Sequence, residues 1–400
     1  MATERRNLLI LIFLAGLLFF FKLGSFSLYD AAETTYGEFV KNILATGDWL
    51  TLRYNGAVIF DKPPLYYWLA ALLSKLIGFN EWAMRLPAAI CGVLTVLTTY
   101  ALGTSFYDKK TGFLSAVVVM TAFQFLVQSR IAELDIVLTL LMTLSLFLFY
   151  RRSYLLMYLP MALAVLIKGL LGVALPAFAI FLFLLIKKEL PRLKEMRLIP
   201  GLLIILAIGF PWYLAEYVIH GKVFLDFALG FLFLSRFQGA VSGHAGPWYY
   251  YFFALILGFA PWSQFLPLGL WRSFKNWKND PELLSFCFIL PAFIVFSLAQ
   301  TKIPNYILPL YPFLAIMVGK LWADRPKGML SSTLSLFIVV ILLVGGAAIA
   351  IQTNYTAELR TFIPSLIALG AVLLIGSLIT SAFFLFKSYL HLFVWFKRAD

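Results

Sequence analysis

The stretch MATERRNLLILIFLAGLLFFFKLGSF, residues 1–26, sets two arginines ahead of an apolar run that carries no small-residue cleavage pattern. A bilayer core of about 30 Å takes about 20 helical residues, so the run is long enough to span and reads as a retained first helix. The rest of the chain repeats the theme. Of its 400 residues 62% are hydrophobic and 13% charged, with 40 Phe, 19 Tyr and a mean hydropathy of +0.91. No soluble core hides that much apolar surface, so lipid must solvate most of it. Apolar segments fall near 8–26, 83–105, 111–128, 135–150, 154–168, 170–186, 199–219, 248–271, 282–300, 303–319, 330–351 and 362–386. The expected fold is an all-α polytopic membrane protein of about twelve transmembrane helices, one domain over 1–400 with no soluble C-terminal domain.

The formal net charge of +13 does not point to nucleic acid, because the basic residues punctuate apolar runs instead of lining one face. With a cytoplasmic N-terminus, alternate connections hold Arg5 and Arg6, Lys109 and Lys110, Arg151 and Arg152, KKELPRLKEMR (187–197), RSFKNWK (272–278), Lys320 with Arg325 and Lys327, and the tail from Lys387. That assignment puts 20 of the 32 Lys and Arg inside, as the positive-inside rule requires. It leaves two long outer loops, 27–82 and 220–247, the first long enough for short interfacial helices. Cys91 and Cys287 both sit inside apolar runs and support neither a disulfide framework nor a thiolate metal site.

The same orientation sends an unusual set of charges to the outer side: Asp30, Glu33, Asp61, Lys62, Arg85, Arg130, Glu133, Asp135, Lys168, His244 and Lys302. A charge at a helix end beside lipid is costly unless paired, hydrated or functional, so this convergence reads as the wall of a polar cavity. Each member also has a plainer reading. Arg85, Arg130 and Lys168 fit snorkelling interfacial cations, Asp135 fits an ion pair with Arg130 five residues earlier, and His244 fits a loop histidine. The run PWYYYFF (247–253) suits an interfacial aromatic belt. Phosphate-loop, dinucleotide-fold, HExxH, CxxC and serine-elbow motifs are all missing from the sequence, which implies no nucleotide cofactor.

Seven stretches in chain order carry a resemblance. They are DAAETTYGEFVKNILATGDWLTLRYNG (30–56), FDKPPLYYWLAALLSKLIG (60–78), RLPAAICGVLTVLTTYALG (85–103), SRIAELDIVLT (129–139), AVLIKGLLGVALPA (164–177), HAGPWYYYFFALILGFAPW (244–262) and TKIPNYILPLYPFLAIMVG (301–319). Together they resemble the GT-C glycosyltransferases of the protein O-mannosyltransferase and lipid A aminoarabinose transferase group. The resemblance implies an inverting transfer of a sugar from a polyprenyl-phosphate donor to a lipid, glycan or protein acceptor. The site would face the periplasm or exterior from the inner or plasma membrane.

By that resemblance the acidic motif of the first loop falls on Asp30 and Glu33, with Ala32 where the family usually has Asp. Asp30 is the favoured base, because Glu33 opens a helix and has a capping duty there. Lys62 matches the lysine that binds the carrier phosphate, and Arg85, Arg130, Lys168 and Lys302 lie on the side where a leaving phosphate needs fixed cations. Asp61 and His244 match an acid and a histidine that hold a divalent metal in some members. Tyr36, Tyr66, Asp135 and Tyr306 complete the candidate site. A transporter or flippase of a lipid-linked sugar is the alternative. It should show charges near the midplane and paired halves, whereas these charges gather on one side.

Overall fold

In a computed structural model of the chain, residues 2–28, 31–60, 62–229 and 246–325 are described. Helix α1 (Ala2–Phe20) leads into a segment that holds α2 (Ala31–Thr46), a two-stranded hairpin and α3 (Leu65–Ile77). The hairpin pairs Arg53 with Val58 and Tyr54 with Ala57. Asn55 and Gly56 turn it with φ of 49° and 80°, the left-handed pair that an Asn-Gly turn adopts most readily. Then follow α4 (Glu81–Phe106), α5 (Lys109–Thr121), α6 (Phe123–Gln128), α7 (Leu134–Tyr150), α8 (Tyr154–Lys168), α9 (Leu171–Ile186), α10 (Leu198–Gly209), α11 (Pro211–His220) and α12 (Lys222–Leu229). After residue 246 come α13 (Tyr250–Gly258), α14 (Leu266–Lys275), α15 (Asp280–Leu298), a 3-10 segment (Pro304–Leu310) and α16 (Tyr311–Asp324).

The expected twelve spans are only partly met among the described residues. Three helices are long and apolar enough to cross a membrane alone: α4, α15 and the unit Pro304–Asp324. The count reaches five if α10 with α11 (bent by 47°) and α13 with Ser263–Lys275 (bent by 118°) each serve as one span. Helices α3, α7, α8 and α9 are apolar but have only 13, 17, 15 and 16 residues. At 1.5 Å per residue they fall short of the bilayer core. The expected spans at 330–351 and 362–386 lie outside the described residues. Two of the expected runs are broken for visible reasons. The 111–128 run turns extended at Ala122, where the Phe123 N–H leaves the helix ladder for the Ala260 carbonyl at 2.9 Å. The 199–219 run bends at Pro211, which has no N–H for the helix ladder.

Contacts gather the connections at two ends. At one end Lys109 pairs with Glu4 at 2.9 Å, Lys110 donates to the Ala323 carbonyl at 2.6 Å and Lys187 pairs with Asp280 at 2.6 Å. These join the N-terminus to connections that the charge rule assigned to one side. At the other end, Thr51 Oγ1 meets His220 Nε2 at 3.0 Å, and Trp212 Nε1 donates to the Leu50 carbonyl at 3.0 Å. Between the ends the helices pack through small residues. A Cβ on Gly112 would stand 2.6 Å from the Tyr100 carbonyl, so α5 rides directly on α4. Leu76, Ile199 and Val218 are 79%, 75% and 75% exposed, a surface that suits lipid and not water.

The charged end is built around one buried pair. Glu33, in the first turn of α2, accepts from Arg85 Nε and Nη2 at 2.8 Å each and from the Ala132 backbone N–H at 2.7 Å. Arg85 also donates to the carbonyls of Leu23, Phe26 and Ser27 at 3.0, 2.8 and 3.0 Å. Both side chains are fully buried. Removing one partner strands an uncompensated charge, so Glu33→Ala and Arg85→Ala should each cost about 3–5 kcal/mol of stability. The double variant should cost less than their sum. Thermal unfolding in detergent measures this, and additive losses would show that the two groups do not act as a pair.

Candidate active site

Residues Pro63 and Pro64 precede α3 and fix the backbone just after Lys62, while Pro64 occupies the N-cap position. Lys62 is half-buried, donates to Tyr36 Oη at 3.3 Å and lies 5.6 Å from the centre of that ring. The Tyr36 ring packs against Phe39, Tyr66 and Tyr67, with the Tyr67 ring centre 5.1 Å away. Tyr66 donates from its hydroxyl to the Met84 carbonyl at 2.9 Å, tying α3 to α4 one residue before Arg85. A lysine seated on an aromatic face is positioned but keeps most of its charge available to an anion.

The turn between α6 and α7 supplies acids. Glu133, the N-cap residue of α7, is 7% exposed and accepts from the Leu134 N–H at 3.2 Å. Burial pushes its carboxyl up to about 7, the negative charge of Asp135 adds to the rise, and Lys62 and Lys168 oppose it. A carboxyl that titrates near neutrality is suited to proton transfer. Asp135 pairs with Lys168, the last residue of α8, and not with Arg130 as sequence spacing suggested. Lys168 stands 4.2 Å from the Tyr306 ring centre. Next to Tyr306, the Asn305 side-chain Oδ1 accepts from Gln124 Nε2 at 3.2 Å and Gln128 Nε2 at 2.8 Å, and Tyr311 donates from its hydroxyl to Gln124 Oε1 at 2.7 Å. This neutral network fixes the 3-10 segment against α6.

The five expected phosphate cations therefore hold different posts. Arg85 uses all five N–H groups on Glu33 and three carbonyls, which leaves none for a phosphate. Lys302 is 4% exposed and donates to the carbonyls of Phe296, Ser297 and Ala299, closing the C-terminus of α15. Its three ammonium protons are engaged in that cap. Arg130 donates to the Leu18 and Phe21 carbonyls at the end of α1. Lys62 and Lys168 are the two whose charge reaches Glu133. Glu33, expected beside Asp30 in the acidic motif, is closed off by Arg85 and the Ala132 N–H, which removes the access a base needs.

Asp30, Asp61 and His244 lie outside the described residues. Among the described residues, no group of three or more His, Cys, Asp and Glu is placed to hold a metal ion. Sequence reasoning noted Glu133 on the outer side but gave it no role. The signal available was a second acid two residues before Asp135 at the head of an apolar helix.

Comparison with known proteins places these residues in a family. The profile of dolichyl-phosphate-mannose-protein mannosyltransferases matches residues 61–215. An uncharacterized protein of Aquifex aeolicus is 30% identical over 363 residues, covering 88% of this chain and 71% of the relative. The undecaprenyl phosphate-alpha-4-amino-4-deoxy-L-arabinose arabinosyl transferase 2 of Pseudomonas fluorescens is 27% identical, with 86% of this chain and 61% of the relative covered. The chain thus spans about three-fifths of that curated relative's length. Among solved structures, ArnT from Cupriavidus metallidurans bound to undecaprenyl phosphate superposes with a TM-score of 0.81 at 23% identity, over 93% of this chain and 71% of that one. The archaeal oligosaccharyltransferase AglB from Archaeoglobus fulgidus, in complex with an inhibitory peptide and a dolichol-phosphate, shares the fold more distantly. Its TM-score is 0.57 at 15% identity, over 95% of this chain and 56% of that one. The order of motifs, the helical architecture and these relatives agree: the chain belongs to the GT-C superfamily of polyprenyl-phosphate-sugar glycosyltransferases.

Proposed function

We propose that the protein moves a sugar from a polyprenyl-phosphate carrier to a hydroxyl or phosphate of a cell-envelope acceptor, a lipid, glycan or protein, at the outer face of the membrane. The observation that carries this reading is the neighbourhood of Glu133, where a carboxyl poised near neutrality meets two lysines seated on tyrosine rings. Transfer makes a bond from the acceptor oxygen to the anomeric carbon and breaks the bond from that carbon to the carrier phosphate. The bonding pair leaves with the phosphate, whose growing negative charge Lys62 and Lys168 meet. The acceptor proton passes to a carboxylate. Asp30, the base favoured from sequence, lies outside the described residues, and the proposal gives the role to Glu133 because its environment holds its proton affinity near that of neutral solution. Asp135 is the positioning residue that holds Lys168 in place.

The lysine role has a direct test. Lys62→Ala should lower turnover about a hundredfold with the protein still folded, because one fixed donor to the leaving charge is lost. Lys62→Arg should restore only part, since a planar fork does not sit where a compact ammonium sits. Transfer from undecaprenyl-phosphate sugars in membranes reads both, and full activity in Lys62→Ala would reduce the residue to an anchor.

The acid role predicts a pH profile. Glu133 must be ionised to accept a proton, and its carboxyl is raised to about 7, so the rate should climb as pH rises through 7 and level off above it. Glu133→Gln should lose that limb along with most of the turnover. A normal rate in Glu133→Gln with a dead Asp30→Asn would return the base to Asp30.

Sidedness is tested by single cysteines. One at Gly56, in the hairpin turn, should react with an impermeant thiol reagent on intact cells. One at Asn276, beside the basic connection 272–278, should react only after permeabilisation. Labelling of the Asn276 position in intact cells reverses the orientation and moves the proposed site inside.

A further inference from the structure

A groove of about 420 Å³ opens beside the end of α1, lined by Leu17, Leu18, Phe21, Leu126 and Arg130. Its volume falls in the range of small-ligand sites, and four of its five lining residues are hydrocarbon. Leu17 on α1 and Phe21 just past its end are 53% and 61% exposed, and Phe13 on α1 is 70% exposed, so the groove lies on a surface suited to lipid. The one charged lining group is Arg130. Two of its five N–H groups hold the Leu18 and Phe21 carbonyls, and none of its bonds among the described residues goes to a carboxylate. Glu33, the described carboxylate of the acidic motif, is already matched by Arg85, and the charge that bears on Arg130 is the like charge of Arg85.

We propose that this groove is a second lipid site, holding one acyl chain of a phosphate-headed bilayer lipid with its phosphate on Arg130. The chemistry of the two ends matches: a half-buried guanidinium with N–H groups to give, at the head of an apolar trough. The polyprenyl carrier is not its occupant. The transfer reaction proposed above places the carrier phosphate with Lys62 and Lys168, so a phosphate on Arg130 belongs to another lipid. The proposal goes beyond the transfer reaction, and only its choice of occupant rests on that reading.

Native mass spectrometry of the full chain in detergent tests it, with phosphatidylglycerol and undecaprenyl phosphate as probes. The wild type should bind both together, giving a complex with the summed mass. Arg130→Gln keeps amide N–H groups for the two carbonyls but loses the charge, and should weaken phosphatidylglycerol about tenfold. Leu126→Trp, which fills the groove and leaves Arg130 in place, should do the same, while Arg130→Lys should retain most of the binding. Undecaprenyl phosphate should bind all four proteins alike. The proposal is overturned if the two lipids exclude each other, if Arg130→Gln loses undecaprenyl phosphate instead, if inorganic phosphate displaces phosphatidylglycerol, or if Leu126→Trp leaves phosphatidylglycerol binding intact.

Discussion

The Arg85–Glu33 pair is the constraint on which the charged end of the molecule depends. Five segments meet at it: the stretch after α1 through three carbonyls, α2 through Glu33, α4 through Arg85, α3 through the Tyr66 bond to Met84 beside it, and the turn before α7 through Ala132. Burying two charges is expensive, and the expense is offset only when every donor and acceptor is matched. Here the match is complete for the guanidinium. Saturation has a functional side: a fully matched arginine is rigid and cannot also grip a substrate, so substrate contacts must come from neighbours that it positions. Tyr36 on α2 and Glu133 beside Ala132 are two such neighbours, and both stand near Lys62.

Lysines on rings and arginines on carboxylates solve different problems. A bidentate pair fixes geometry and cancels charge. A cation over a tyrosine face is held by about 0.5–2 kcal/mol and keeps its charge for a visiting anion. Lys62 over Tyr36 and Lys168 over Tyr306 each stand on such a face, and Asp135 also pairs with Lys168. Lys302 shows a third use, since its ammonium satisfies carbonyls that the end of α15 would otherwise leave open. One residue type thus serves as phosphate candidate and as helix cap, and only the partners tell them apart.

That difference marks what the sequence could carry. The apolar runs were legible because they depend on composition, and the Asn-Gly turn, which the sequence reading passed over, depends on two adjacent residues. The break at Ala122 was not, because it depends on a carbonyl at Ala260, more than a hundred residues away. Asp135 looked matched to Arg130 by spacing along one helix, but the turn at residues 129–133 directs the two apart and brings Lys168 across from α8 instead. Lys302 was legible as a cation near an outer loop. Its engagement depends on the chain doubling back over the end of α15, which no local pattern records.

The short helices have a consequence for the proposed chemistry. A helix of 13 to 17 residues is shorter than a bilayer core, so in a membrane at least one of its ends falls short of a surface and a charge there needs partners or water. Lys168 closes α8, Glu133 caps α7 and Lys62 precedes α3, so each of the three sits at such an end. A polyprenyl carrier keeps its chain in hydrocarbon and its phosphate at the interface. Reaction there needs groups that are dry enough to act strongly on a charge yet wet enough to exchange a proton. Burial that lifts Glu133 to about 7 beside two lysines meets both conditions, and a full-length span would have carried these ends out into solvent, where the same residues would act more weakly.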